Sequence, residues 1–141
     1  MADCLLTGIS EDQARINLLT YIRDSFVAAP VGVSGIELIY PNAKPPDTES
    51  RTTPFIMLSI RPVHSEQSGM GESTFVTTKT LDISLWIREY TGIKIVGLFV
   101  DFVKSLGLKT VDSISYGVPH QVVQKPYKGW EVNPVFLPIR F

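Results

Sequence analysis

The chain has 141 residues and a net charge of −1, which argues against a nucleic-acid footprint and against a polybasic membrane anchor. Its 44% apolar and 19% charged content is that of an ordinary globular chain, long enough for one domain over residues 1–141 with a core of its own. One cysteine, Cys4, excludes an internal disulfide; in its short Cys-Leu-Leu run it reads as a packed or dangling thiol, not a nucleophile.

The N-terminus has no basic region followed by a long apolar stretch, so no secretion signal is expected. Ser10 followed by Gln13 forms a capping box, and Glu11 and Asp12 place negative charge at the positive end of the helix that follows. Ala14, Leu18, Ile22 and Phe26 repeat every fourth position, with Leu19 widening the stripe, and Pro30 ends the helix by Ala28 or Ala29. Residues Val31 to Gly35 read as a loop and Ile36 to Tyr40 as a short strand. Pro41 to Pro54 holds four prolines and is expected to be a surface loop. Phe55 to Arg61 is apolar on nearly both faces and reads as a central strand. Pro62 to Ser73 is polar and glycine-containing, expected as a long hairpin loop or extended arm.

A strand then runs from Thr74 to Arg88. Leu81, Ile83, Leu85 and Ile87 point one way, and Asp82, Ser84, Trp86 and Arg88 the other. A helix follows over Gly92 to Leu106, with Ile95, Phe99, Phe102, Val103 and Leu106 on its apolar side and Gly107 as its stop. Its longest apolar run, Ile95 to Val100, is six residues, against the roughly 20 that a membrane span needs. Val111 to Tyr116 reads as one strand, and His120 to Gln124 as another. Lys128-Gly129 is the last turn. Trp130 to Phe141 is the closing strand, and Pro134 and Pro138 predict that it lies at a sheet edge or carries a bulge. The chain is expected to end on that strand without a tail. The fold class is α+β: one mainly antiparallel sheet of four to six strands with two α-helices packed against it.

No catalytic, cofactor or metal site is expected. The two histidines, His64 and His120, have no ligand-spaced partners. Gly69-Met70-Gly71 lacks the third glycine of a phosphate loop and does not join strand to helix. No nucleophile elbow and no local carboxylate pair is visible. The residues singled out are contact candidates: Met70 as a flexible apolar anchor, Trp86 with Arg88 beside it, Trp130, and Phe136. Trp86 faces away from Leu85 and Ile87, so a helix or another copy of the chain is expected to cover it. Trp86 and Trp130 read as packing across adjacent strands or at a subunit contact, and with Phe136 they are expected to offer apolar surface beyond what the core needs.

The order of elements resembles that of the tail terminator proteins of long-tailed bacteriophages, over about Glu11 to Phe141. The stretches that carry the resemblance are Ile-Tyr-Pro-Asn-Ala-Lys-Pro-Pro at 39–46, Thr-Pro-Phe-Ile-Met-Leu-Ser-Ile at 53–60, Leu-Asp-Ile-Ser-Leu-Trp-Ile-Arg-Glu at 81–89, and residues 130–141 with a proline inside the last strand. The Asn-x-x-Pro segment expected after the first strand is Asn42-Ala43-Lys44-Pro45. The resemblance implies no enzyme and no cofactor. It implies a homo-oligomeric ring, usually of six copies, in the virion, assembled in the host cytoplasm. Such a ring docks on the last ring of tail-tube protein, stops tube growth, and offers a face to the head–tail connector or neck protein. In contractile tails it also meets the sheath protein, and viral DNA passes through it without sequence-specific binding. The alternatives are another virion joining protein, either a head–tail connector or a tube subunit, and a small-molecule-binding α+β domain.

Overall fold

The computed structural model describes residues 10–41, 43–44, 46–67, 75–89 and 94–141. Cys4, Asn42, Pro45, the Gly69-Met70-Gly71 tip and the expected helix start at Gly92 lie outside the described residues. The first helix, α1 (Glu11–Val27), is capped as its sequence predicts: the Ser10 Oγ accepts from the Gln13 N–H at 3.1 Å. Its buried residues are Ala14, Leu18, Ile22 and Phe26, the four of the apolar stripe. The second helix, α2 (Lys94–Lys104), buries Phe99, Val100 and Val103 and exposes Lys94, Gly97, Asp101 and Lys104. Leu106, past the last helical turn, is buried as well.

Between and after the helices run β1 (Glu37–Ile39), β2 (Phe55–Gln67), β3 (Phe75–Arg88), β4 (Lys109–Val111), β5 (Ile114–Tyr116), β6 (His120–Gln121) and β7 (Trp130–Arg140). Among the described residues they form one seven-stranded sheet in the order β1-β2-β3-β7-β5-β4, with β6 also on β7. The α+β class holds, but the sheet is larger than the expected four to six strands, and it is mixed, because β1 pairs parallel to β2. A parallel neighbour needs a crossover of about a dozen residues. The proline-rich stretch between Ile39 and Phe55, a surface loop as expected, is also that crossover.

Three further expectations are corrected. The segment Val111 to Tyr116 is a hairpin, not one strand: Asp112 (φ 50°) and Ser113 (φ 67°) make a two-residue turn between β4 and β5. The strand expected over His120 to Gln124 keeps only His120 and Gln121, plus one bond from the Val122 N–H to the Pro134 carbonyl at 3.0 Å. Of the two alternatives for Pro62 to Ser73, the loop is corrected at its start in favour of an extended arm, since β2 continues to Gln67, with a register shift between Pro62 and His64.

The closing strand β7 is central, not an edge. It pairs along its length with β3 on one side and with β5 and β6 on the other. Its prolines survive there because of which way their backbones face. Pro134 and Pro138 accept from the Val122 and Gly117 N–H groups, at 3.0 and 2.8 Å. Within a strand the N and the carbonyl of one residue face the same neighbour. The missing N–H groups therefore face the side where β5 and β6 leave gaps, and the ladder to β3 is untouched.

Both faces of the sheet are packed. Ile56, Leu58, Leu81, Ile83, Leu85, Ile87, Val135, Leu137 and Ile139 meet the helices in the main core. Phe55, Trp130 and Ile39 form a second cluster, with Met57 and Trp86 against it. Gly107 allows a close crossing: a Cβ there would stand 2.5 Å from the Gly117 carbonyl oxygen and 2.6 Å from Pro119. That crossing holds the start of β6 beside β7.

Tyr116 is buried, its ring 4.6 Å from that of Tyr21, and its hydroxyl has no hydrogen-bond partner among the described residues. Burial first, then the Tyr21 and Asp112 charges, push the Tyr116 hydroxyl well above the ordinary tyrosine range. Burial also raises Tyr21, whose hydroxyl donates to the Leu106 carbonyl at 3.1 Å. A folded-state pKa above the unfolded value means that stability is full below about pH 10 and is lost as pH climbs beyond it. Tyr116→Phe is expected to leave stability at pH 7 unchanged or raise it by about 1 kcal/mol, since a buried unpaired hydroxyl is removed. It is also expected to flatten the alkaline loss. Urea unfolding between neutral and alkaline pH checks both.

Candidate functional site

Of the residues singled out in the sequence, Trp86, Arg88, Trp130 and Phe136 lie on the face opposite the helices. Register places Arg88 beside Trp130, Phe55 beside Trp86 and Val132, and Ser59 beside Asp82 and Phe136. At one end of this face the Phe55 and Trp86 rings stack at 5.4 Å, and Trp130 stands edge-on to Phe55 at 5.1 Å. Tyr127 sets its ring edge against Trp86 at 6.0 Å.

The crossover between β1 and β2, not a helix, closes this end. The Trp130 Nε1–H donates to the Thr48 carbonyl at 2.8 Å. The Arg88 guanidinium lies 4.5 Å above the Trp130 ring and donates to the carbonyls of Thr48 (2.9 Å), Glu49 (3.2 Å) and Arg51 (2.7 Å). Arg51 lies over the Phe55 ring at 5.0 Å and pairs with Glu37 on β1 at 2.8 Å. Asp47 tightens the same turn: the Ser50 hydroxyl first, then the Glu49 amide, hold its carboxyl below the usual carboxylate range. Lys128 (φ 48°) and Gly129 (φ 84°) form the expected last turn, and a Cβ at Gly129 would come 3.0 Å from the Arg88 guanidinium.

At the other end of the face the surface is more polar. Asp82 is buried except for about a tenth of its side chain, accepting from the Ser84 hydroxyl at 2.6 Å and pairing with Arg61 at 3.3 Å. Arg61 also lies 5.4 Å from the Phe136 ring centre. Phe136 is half-buried.

The contact candidates therefore part ways. Trp130 is 0% exposed, so the expectation that it adds free apolar surface is corrected: it packs across strands under the crossover. Trp86 is half-buried in the same cluster, and Arg88 fastens the crossover. Phe136 keeps a partly open ring, and Met70 lies outside the described residues. Sequence reasoning missed the role of Thr48. The available signal was the length of the 40–54 stretch, enough for a crossover between parallel strands.

A second feature had no signal beyond the shortness of β1. β1 covers β2 only from Phe55 to Met57. Past Met57 a groove of about 620 Å³ opens along the β2 edge, lined by Met57, Leu58, Ser59 and Ile60 in succession. Successive residues point to opposite faces, so the groove runs along an open strand edge, and it reaches under α1 to Leu18, Ile139 and Phe141 on the core face. The start of α1 forms its other wall, where Glu11 pairs with Lys79 at 2.7 Å.

Among the described residues no three His, Cys, Asp or Glu side chains gather as a metal site would need. No helix there is long and apolar enough to cross a membrane. No protein-family model matches the chain, and no curated protein matches it. One solved structure, of a protein whose name carries no functional description, is similar over 94% of this chain and 96% of its own, with a TM-score of 0.68 and 9% identity. That likeness is one of fold.

Proposed function

We propose that the chain is a structural virion protein of the tail-terminator kind, forming a ring at the head-proximal end of a phage tail tube. In this reading the ring caps the tube, ends its polymerisation and presents a docking face to the head–tail connector. The observation that carries the reading is the β2–β3 ribbon. Its strands are 13 and 14 residues long, and the Glu66–Val76 and Gln67–Phe75 rungs lie beyond the last β3–β7 rung, Thr78–Arg140. An antiparallel ribbon that outruns its sheet suits contact with a neighbouring subunit or the tube ring below. The order read from the sequence, helix, short strand, proline-rich loop, strand, long hairpin arm, strand and helix, agrees with α1, β1, β2, β3 and α2 of the fold, and four strands follow in place of the expected two or three.

The test is made on the ribbon. Replacing residues 65–72 by a two-residue turn removes the end of β2 from Ser65 to Gln67 and leaves the rungs from His64–Thr78 inward in place, so the monomer is expected to stay folded. Phage carrying the change are expected to give tails of uncontrolled length or heads without tails, seen by electron microscopy. Wild-type tail length and infectivity would remove the ribbon from the mechanism. Light scattering of the purified protein is expected to show a multiple of 15.7 kDa at high concentration.

A further inference from the structure

Two open edges of this sheet lie at the same level, on opposite sides. Leu58 pairs with Ile83, Ile83 with Val135, and Val135 with Gln121; Ser59, Asp82, Phe136 and His120 make the next row. Each row thus crosses four strands, from β2 to β6. On the β2 side, no described strand lies outside Leu58 and Ser59, where the groove opens. On the other side, no described strand pairs with β6 except β7.

The strand directions also match. β2 and β7 run one way, β3 and β6 the other, because each neighbouring pair in the row is antiparallel. Placing β6 of one copy against β2 of the next continues the alternation as a further antiparallel pair. The β6 stretch is built for a partner. Val118 is 53% exposed and Val123 97% exposed, on either side of the short β6. No Asp or Glu lies between Asp112 and Glu131, and the stretch carries Lys125 and Lys128; at the groove wall Glu11 and Asp12 pair with Lys79 and Arg15, so no excess of positive charge there repels it. Pro119 and Pro126 flank residues 120–125 and confine pairing to them.

We infer that the segment 120–125 of one copy adds as a strand to the open β2 edge of the next copy, joining their sheets head to tail. An edge with unpaired donors and acceptors is a template for another strand, and a head-to-tail contact makes a ring when its rotation closes. The contact deepens the ring reading and rests on it.

Cross-linking tests it. In a Cys4→Ser background, Ser59→Cys is combined in turn with a cysteine at each position from 120 to 124, and each protein is oxidised mildly at a concentration where it forms multiples of 15.7 kDa. At least one combination is expected to give a reducible ladder running past the dimer, with neither single-cysteine parent doing so. Those amides of 58–61 that face away from β3, and those of 120–124 that face away from β7, are expected to exchange more slowly at high than at low concentration. Val123→Asp, at a fully exposed position, is expected to leave folding unchanged and raise the concentration needed for assembly about tenfold or more. Multiples without any cross-link or amide protection would overturn the contact and leave the ring reading standing. A cross-linked species that stops at the dimer would overturn head-to-tail pairing. Protection at every concentration of the 58–61 amides that face away from β3 would show the edge already covered within one copy and overturn the proposal. Absence of multiples at every concentration, together with no cyclic arrangement in the virion, would overturn both readings.

Discussion

Trp130→Ala is expected to destabilise the protein by about 3–5 kcal/mol, as for a fully buried aromatic side chain in a packed cluster. Trp130 is 0% exposed and lies 5.1 Å from Phe55 and 6.3 Å from Trp86. Its loss opens a cavity and also removes the indole N–H that binds the Thr48 carbonyl at 2.8 Å. Two effects then add: less apolar contact under the crossover, and a crossover with one fewer tether. Trp130→Phe separates them, keeping most of the ring and losing the donor, at a cost of about 1–2 kcal/mol. Trp86→Ala is expected to cost less than Trp130→Ala, because Trp86 is only half-buried. Urea unfolding midpoints rank the three. A Trp130→Ala midpoint equal to wild type would show that the second cluster does not hold the fold together.

The second large effect belongs to Arg88. One guanidinium donates to three carbonyls of the crossover and lies over the Trp130 ring. Arg88→Met keeps the aliphatic volume and removes every donor, and a loss of about 2–3 kcal/mol is expected. Arg88→Lys should not restore it, since a point charge cannot span three carbonyls as a planar fork does. Limited trypsin digestion gives the local readout. Arg51 sits in the released segment, so cleavage after it should quicken in Arg88→Met more than cleavage elsewhere. Because Arg88 and Trp130 share the Thr48 carbonyl, the double variant Arg88→Met with Trp130→Ala should lose less than the sum of the two. Additive losses would mean that the two side chains act on the crossover independently.

The local patterns needed nothing but the sequence. Ala14, Leu18, Ile22 and Phe26 are the buried face of α1, and Ser10 is its cap. The odd residues Leu81 to Ile87 are the core face of β3. Lys128-Gly129 is a turn. These follow from periods of 3.6 and 2 and from the side chain's own reach, all of which act within a few residues. What only the tertiary structure decided are the pairings. β7 looked like an edge because prolines remove donors, and it is central because both prolines face the gapped side. The prolines of 41–54 read as a loop, and the stretch is the crossover that makes β1 parallel to β2 and seals Trp130. The contact surfaces followed the same division. Alternation showed that Trp86 and Arg88 share a face, but Arg88 could be known as a fastener only once Thr48 came to it across 40 residues of chain. The open β2 edge follows from β1 stopping opposite Met57, a consequence of strand pairing. Strand partners are chosen by long-range burial and hydrogen bonding, which leave no periodic trace in the residues that take part.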